Sequence, residues 1–177
     1  MPDETPTIRR ATGQDATVLA DLGARTFYDA FAHHNKPEDI ERYIAGAFNL
    51  AQMARELADP RSTFLLAQMN GQAIGYAKLR AGDAPDCVDG PRPIELERIY
   101  VDQNAHGRGV GAALMRTCLD EARQADYGAV WLGVWERNDH AQAFYRKWGF
   151  CDVGAKTFTV GADVQNDRVM MCVLDGR

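Results

Sequence analysis

Glu95-Leu96-Glu97-Arg98-Ile99-Tyr100-Val101-Asp102-Gln103-Asn104-Ala105-His106-Gly107-Arg108-Gly109-Val110-Gly111 is the stretch that decides the fold. Ile94 to Val101 reads as a strand, because it mixes β-branched and aromatic residues with alternating polar ones. The linker Asp102 to His106 follows, then three alternating glycines. A helix runs from about Gly109 to Gln124, with Val110, Leu114, Cys118 and Ala122 on one stripe. Glycine allows positive φ and lets a ligand approach the backbone closely. A helix start offers N–H groups without intrahelical acceptors and the positive end of the dipole. The combination is an anion site suited to a pyrophosphate.

Two known phosphate-binding motifs can be compared with such a turn. A Walker phosphate loop is excluded, since no Gly-Lys-Ser/Thr follows. Gly107-x-Gly109-x-x-Ala112 fits a dinucleotide fingerprint, with Glu136 placed for a ribose contact. That fingerprint wants its first glycine directly off the strand, and here Asp102 to His106 intervene. A glycine-rich turn with no ligand is the remaining alternative.

Outward from the turn, strands and helices alternate without repeats. Thr7 to Arg10 reads as a short strand. Asp15 to Phe31 is helical, with Leu19, Leu22, Thr26, Phe27, Ala30 and Phe31 sharing a face. Pro37 opens a second helix, and Glu38 and Asp39 complement its dipole. A third helix covers Leu50 to Ala58, before Pro60. Thr63 to Gln68 and Ala73 to Leu79 flank Asn70-Gly71, a strong hairpin signal. Gly82 to Pro93 is a loop. Ala129 to Trp135 is a strand and Asp139 to Trp148 a helix. Phe150 to Val160 and Arg168 to Leu174 form an antiparallel pair joined at Gly161-Ala162-Asp163.

Length and composition suit one domain over residues 1–177, with 46% apolar residues for a single core. A net charge of −5 argues against nucleic acid as partner and suits a cationic substrate. Cys87, Cys118, Cys151 and Cys172 have neither metal-ligand nor C-x-x-C spacing, so reduced thiols in a cytoplasmic protein are expected, with no metal. Met1-Pro2-Asp3-Glu4 does not read as a signal peptide, and no apolar run is long enough for a membrane span.

From Glu95 onward the chain resembles the GNAT superfamily of N-acetyltransferases. The likeness runs through Leu96 to Val101, the glycine turn, and Asn138-x-x-Ala141-x-x-Phe144-Tyr145-x-x-x-Gly149-Phe150. Gly109 and Gly111 match the two glycine positions of the family's turn, while His106 stands where Arg or Gln is usual. Trp131 to Asn138, the tail Phe158-x-x-Gly161-x-x-x-Gln165-x-Asp167-x-x-Met170, Thr26-Phe27-x-x-x-Phe31 and Pro37-Glu38-Asp39 look like the PaiA-type polyamine acetyltransferases.

The resemblance implies an α/β (α+β) fold: a mixed, mostly antiparallel sheet of six to seven strands with helices on both faces. It implies acetyl-CoA as co-substrate, lying where the strand at Leu96 to Val101 splays from Ala129 to Trp135. Ile99, Tyr100, Val101, His106, Gly107, Arg108, Gly109, Val110, Gly111, Ala112, Asn138 and Tyr145 are the expected cofactor contacts. Tyr145 matches the family's general acid, with core packing as its competing reading. Asn138 is equally a good helix N-cap. The acceptor, a primary amine and in this group a polyamine, is protonated at neutral pH and must lose a proton. Glu97 is the expected base, with Glu95 on the same strand face as runner-up. Phe31, His34 and Glu95 are expected to line the acceptor site, and Asp83, Asp86 and Asp89 to attract a cation or merely be solvated. Other small amines, a peptide or protein amine, a non-catalytic acyl-CoA-binding regulator and a nicotinamide-dependent oxidoreductase are the alternatives. The resemblance allows a homodimer and requires neither membrane nor nucleic acid.

Overall fold

The computed structural model describes residues 5–175; the Met1–Glu4 stretch lies outside them. Seven strands form one sheet in the order β1-β2-β3-β4-β5-β7-β6. They are β1 (Thr7–Arg10), β2 (Ser62–Met69), β3 (Gln72–Arg80), β4 (Pro93–Val101), β5 (Ala129–Trp135), β6 (Cys151–Val160) and β7 (Asp163–Val173). Only β4 and β5 run parallel; the other neighbours are antiparallel. The helices are α1 (Ala16–Phe31), α2 (Pro37–Ala47), α3 (Leu50–Ala58), α4 (Val110–Gln124) and α5 (Asp139–Lys147).

Local sequence explains most of these elements. Asp15 and Thr12 form a capping box at the 3-10 turn leading into α1, satisfying N–H groups that a helix start leaves open. Asn70 and Gly71 both take positive φ, 52° and 76°, which the two-residue hairpin between β2 and β3 demands. The buried stripe of α4 includes Val110, Leu114, Cys118 and Ala122, at the spacing of one helix face.

The sheet separates two cores. On one side Leu65, Ala77, Leu96, Val130 and Leu132 pack against α4, with Phe144 and Tyr145 of α5 at the margin. On the other, Leu66, Tyr76 and Phe64 pack against Leu19, Leu22 and Phe27 of α1, Ile40 of α2 and Met53 of α3. The mixed, mostly antiparallel sheet with helices on both faces is therefore as the resemblance implies.

One boundary differs. β7 begins at Asp163, not Arg168, and pairs with β6 from Val160↔Asp163 onward. The turn is therefore shorter than expected. Asp163, Gln165, Asn166 and Asp167 have poor strand propensity, and pairing with β6 overrides it.

Candidate active site

β4 and β5 pair only over Pro93–Glu95 and Ala129–Trp131. Just past that point β3 residues Lys78 and Leu79 face Arg98 and Leu96, so Glu97 is an extra residue in β4. Such a bulge bends its strand and re-aims side chains. Ile94, Leu96, Ile99 and Val101 face the α4 core, whereas Arg98 lies over Phe48 in the opposite core. A cavity of about 860 Å3 opens where the strands part. A smaller hollow of about 460 Å3, beside the Arg25–Asp102 ion pair, contains none of the candidate residues.

The glycine turn forms one end of the cavity. Gly107 and Gly109 are left-handed, with φ of 75° and 77°, a conformation that costs other L-residues about 1 kcal/mol or more. Gly109 is the N-cap of α4 and supplies no side-chain cap. The N–H groups of Val110, Gly111 and Ala112 thus have no intrahelical acceptor, and all three residues line the cavity. His106 Nε2 donates to the Val101 carbonyl at 2.9 Å, tying the turn to the end of β4. This bond gives the departure at His106 a structural place.

α5 forms the second wall. Asn138 is its N-cap, accepting the Ala141 N–H at 3.1 Å, and it also lines the cavity. Asn138→Ala is expected to lower stability by about 1 kcal/mol and Asn138→Ser to restore most of it. Urea unfolding checks this, and unchanged stability in Asn138→Ala would remove the capping role. Tyr145 lines the cavity about two turns on. Its ring packs edge-on against Phe150 with centroids 5.9 Å apart. The hydroxyl makes no hydrogen bond within the described residues, and burial pushes its pKa well above the ordinary phenol value.

Carboxylates mark the remaining wall. Glu97 Oε2 is buried without a hydrogen bond but sits against the Lys78 ammonium as an ion pair. Lys78 is 3% exposed and also pairs with Glu56 at 3.0 Å. Arg98 forks the same Glu56, at 2.8 and 3.3 Å. Glu95 lies 3.8 Å from Lys156, and burial, opposed by Lys156, leaves its carboxyl above the usual range. Asp167 is pushed up to about 6 by burial, which Lys156 opposes and Glu136 reinforces. Trp135, Phe158, Phe31 and Tyr43 add aromatic surface.

The cavity therefore gathers Glu95, Glu97, Ile99, Tyr100, Val101, His106, Gly107, Gly109, Val110, Gly111, Ala112, Asn138, Tyr145 and Phe31. Arg108 and His34 are not on its wall; the His34 ring packs 4.9 Å from Trp135, which is. Asp83, Asp86 and Asp89 are exposed and away from it. The four cysteines do not line it either. The sequence reading gave no role to Lys156, Gln165 or Asp167. Alternation along β7 places Gln165, Asp167 and Val169 on one face, and that signal points to them.

The chain matches the model of the acetyltransferase (GNAT) family over residues 20–150. An uncharacterized N-acetyltransferase of Mycobacterium tuberculosis is 42% identical over 159 residues, spanning 89% of this chain and 96% of that protein. The N-alpha-acetyltransferase RimI of the same organism is 36% identical over 154 residues, 86% of this chain and 83% of that protein. The fold superposes on the PaiA N-acetyltransferase of Thermoplasma acidophilum, solved with coenzyme A, with a TM-score of 0.77. That likeness has 18% identity and covers 96% of this chain and 99% of the other. The chain is thus an acyl-CoA-dependent N-acetyltransferase, and the strand-parted cavity with an uncapped helix start is its candidate site. The chain belongs to the GNAT family of acetyltransferases. The dinucleotide alternative falls away: a 3-10 turn over Gln103–Ala105 separates β4 from the first glycine.

Proposed function

We propose that this chain acetylates the primary amine of a small cationic acceptor, a polyamine such as spermidine or spermine, with both substrates bound at once. The observation that carries this reading is the acceptor wall, where Glu95, Glu97 and Asp167 stand among Phe31, Tyr43, Trp135 and Phe158. Carboxylates attract ammonium groups, and aromatic faces favour cations and the methylenes between them. Acetyl-CoA, when bound, supplies an activated thioester carbonyl. The N–H groups at the start of α4 fit its pyrophosphate, being uncapped and on the cavity wall. The edge of β4 beyond Glu95 has no β5 partner. The Asp102 N–H bonds the Ile74 carbonyl of β3, so alternation turns the Tyr100 N–H to β3 and leaves those of Ile99 and Val101 on the open edge for the thioester carbonyl oxygen. Tyr145 gives its hydroxyl proton to the departing sulfur. No cysteine intervenes: Cys118 is buried in the α4 core and burial raises its thiol to about 12.

A peptide α-amine is the second reading, favoured by the 36% identity to RimI. Such an amine has a pKa of about 8, against about 10.4 for a lysine-like amine. A panel of spermidine, spermine, a diamine and a short peptide with a free α-amine, read by release of coenzyme A thiol, separates them. We expect kcat/KM for spermidine to exceed that for the peptide by about tenfold or more, roughly 1.4 kcal/mol of transition-state preference. The reverse order transfers the function to a peptide amine. Acetyl-CoA binding without turnover on any amine favours a non-catalytic regulator.

A further inference from the structure

We infer that Asp167 is the proton acceptor of the transfer, and that Glu97 acts beside it as an ion-paired anchor for the acceptor ammonium. This rests on the amine acetyltransferase function proposed above.

Position comes first. Pairing between β4 and β5 ends at Glu95↔Trp131. Two residues further on each strand are Glu97 on one lip of the opening and Gly133 on the other. Asp167 lies over Gly133: a Cβ added at Gly133 would stand 3.2 Å from Asp167 Oδ2 and overlap Lys156 Cε. With glycine there, both side chains lie close over the β5 backbone; a larger residue would require the Lys156 chain to move aside. Asp167 thus reaches the second lip from β7, where it pairs in register with Trp135, and it lines the cavity.

Its surroundings come second. Asp167 is 7% exposed, and its carboxylate makes no hydrogen bond or ion pair with the described residues. A buried, unpaired carboxylate is costly and gains most from a proton or an ammonium donor. Glu97 differs, because Lys78 already holds its Oε2. Contrasting surroundings of two carboxylates in one cavity divide acid–base roles between them. The charges acting on Asp167 are Lys156 on β6 and Glu136 after β5; Tyr43 on α2 senses its charge, and Glu95 and Glu97 on β4 line the same cavity. His34 packs its ring against Trp135 and is not on the cavity wall. Arg168, its neighbour on β7, turns instead to Asp152 at 3.1 Å. Lys156 is within ion-pair distance of Glu95 at 3.8 Å. With burial as the main cause, the carboxyl titrates at about 6. It is therefore mostly ionised at neutral pH yet a better base than an ordinary carboxylate.

The protons balance. The acceptor arrives as an ammonium and ends as an amide, losing two protons as its N–C bond forms and the C–S bond breaks. One N–H proton passes to Asp167 Oδ and then to solvent. The sulfur takes the Tyr145 proton, and the second nitrogen proton restores the tyrosine.

The test compares the full chain with Asp167→Asn and, should that variant fail to fold, Asp167→Ala. Carbon NMR of labelled aspartate carboxyls, assigned by difference, should show Asp167 titrating near 6; a midpoint in the ordinary range below 4 overturns the inference. Acetyl-CoA affinity by calorimetry should change less than about twofold. With spermidine, kcat/KM of the full chain should rise with pH through about 6, and Asp167→Asn should lose that limb and on the order of 10²-fold or more in rate. Lys156→Gln should move the limb to higher pH, since Lys156 opposes the shift. A variant at Asp167 within threefold of the full chain, with the limb intact, overturns the assignment and returns the proton to Glu97. A full chain inactive on every amine overturns the underlying function and this role with it.

Discussion

Tyr145→Phe should lower kcat by on the order of 10²-fold, equivalent to about 2.7 kcal/mol, with little change in acetyl-CoA affinity. The change removes one oxygen atom and keeps the ring. The ring makes the packing contacts, with Phe150 at 5.9 Å and Phe144 at 5.6 Å, so α5 should hold its place. The hydroxyl has no hydrogen bond within the described residues to lose, so stability should stay within about 0.5 kcal/mol. Burial keeps the phenol protonated throughout the physiological range, which suits an acid and excludes a base. A leaving thiolate gains from such a donor, because a thiolate is more basic than the neutral thiol it becomes on protonation. Stopped-flow and steady-state release of coenzyme A thiol, with calorimetric binding, measure both halves of the expectation. Unchanged kcat would return Tyr145 to core packing alone.

Glu56→Ala should cost about 3–5 kcal/mol of folding stability, a fall in Tm of roughly 10 °C for a chain of this size. Glu56 reaches from α3 to two strands, holding Lys78 of β3 and Arg98 of β4. The side chains of Lys78, Glu56 and Arg98 are 4%, 12% and 10% exposed. Removing the carboxylate leaves two buried cations against Glu97 alone, and the lost partner, more than the lost attraction, sets the size of the effect. Burial pushes the Glu56 carboxyl up, but Arg98, Gln52 and Lys78 outweigh it and hold the net value below the ordinary range. Its folded value is therefore depressed. The stabilisation is full above the unfolded value of about 4.3 and is lost as pH falls through the folded one. Urea unfolding of both proteins at pH 7 and pH 4 reads this directly. A loss under 1 kcal/mol at pH 7 would mean that water reaches the site.

Much of the fold was legible from local signals. Asn70-Gly71 announced a two-residue hairpin because few other dipeptides accept positive φ twice. The α4 stripe and the glycine turn were legible because helix period and helix-start chemistry are properties of neighbouring residues. The start of β7 was not. Asp163 to Asp167 is polar and extends only because β6 lies alongside. Missing that half-strand also hid Asp167, since a carboxylate in an assumed loop has no face.

The sequence by itself determined the element order, the glycine-capped start of α4 and the resemblance to the family, because each rests on short spacings along the chain. His106 was conspicuous there as an irregularity, and its bond to Val101 needed coordinates. Tertiary structure alone decided which carboxylates meet at the lip of the β4–β5 opening. A β4 bulge aims Glu97, and Glu56 on α3 and Lys78 on β3 surround it. β7 inserts between β5 and β6 to bring Asp167 over Gly133. Proton affinity depends on burial and on charges from distant segments, so the roles of like residues in one pocket become readable only once the sheet has assembled.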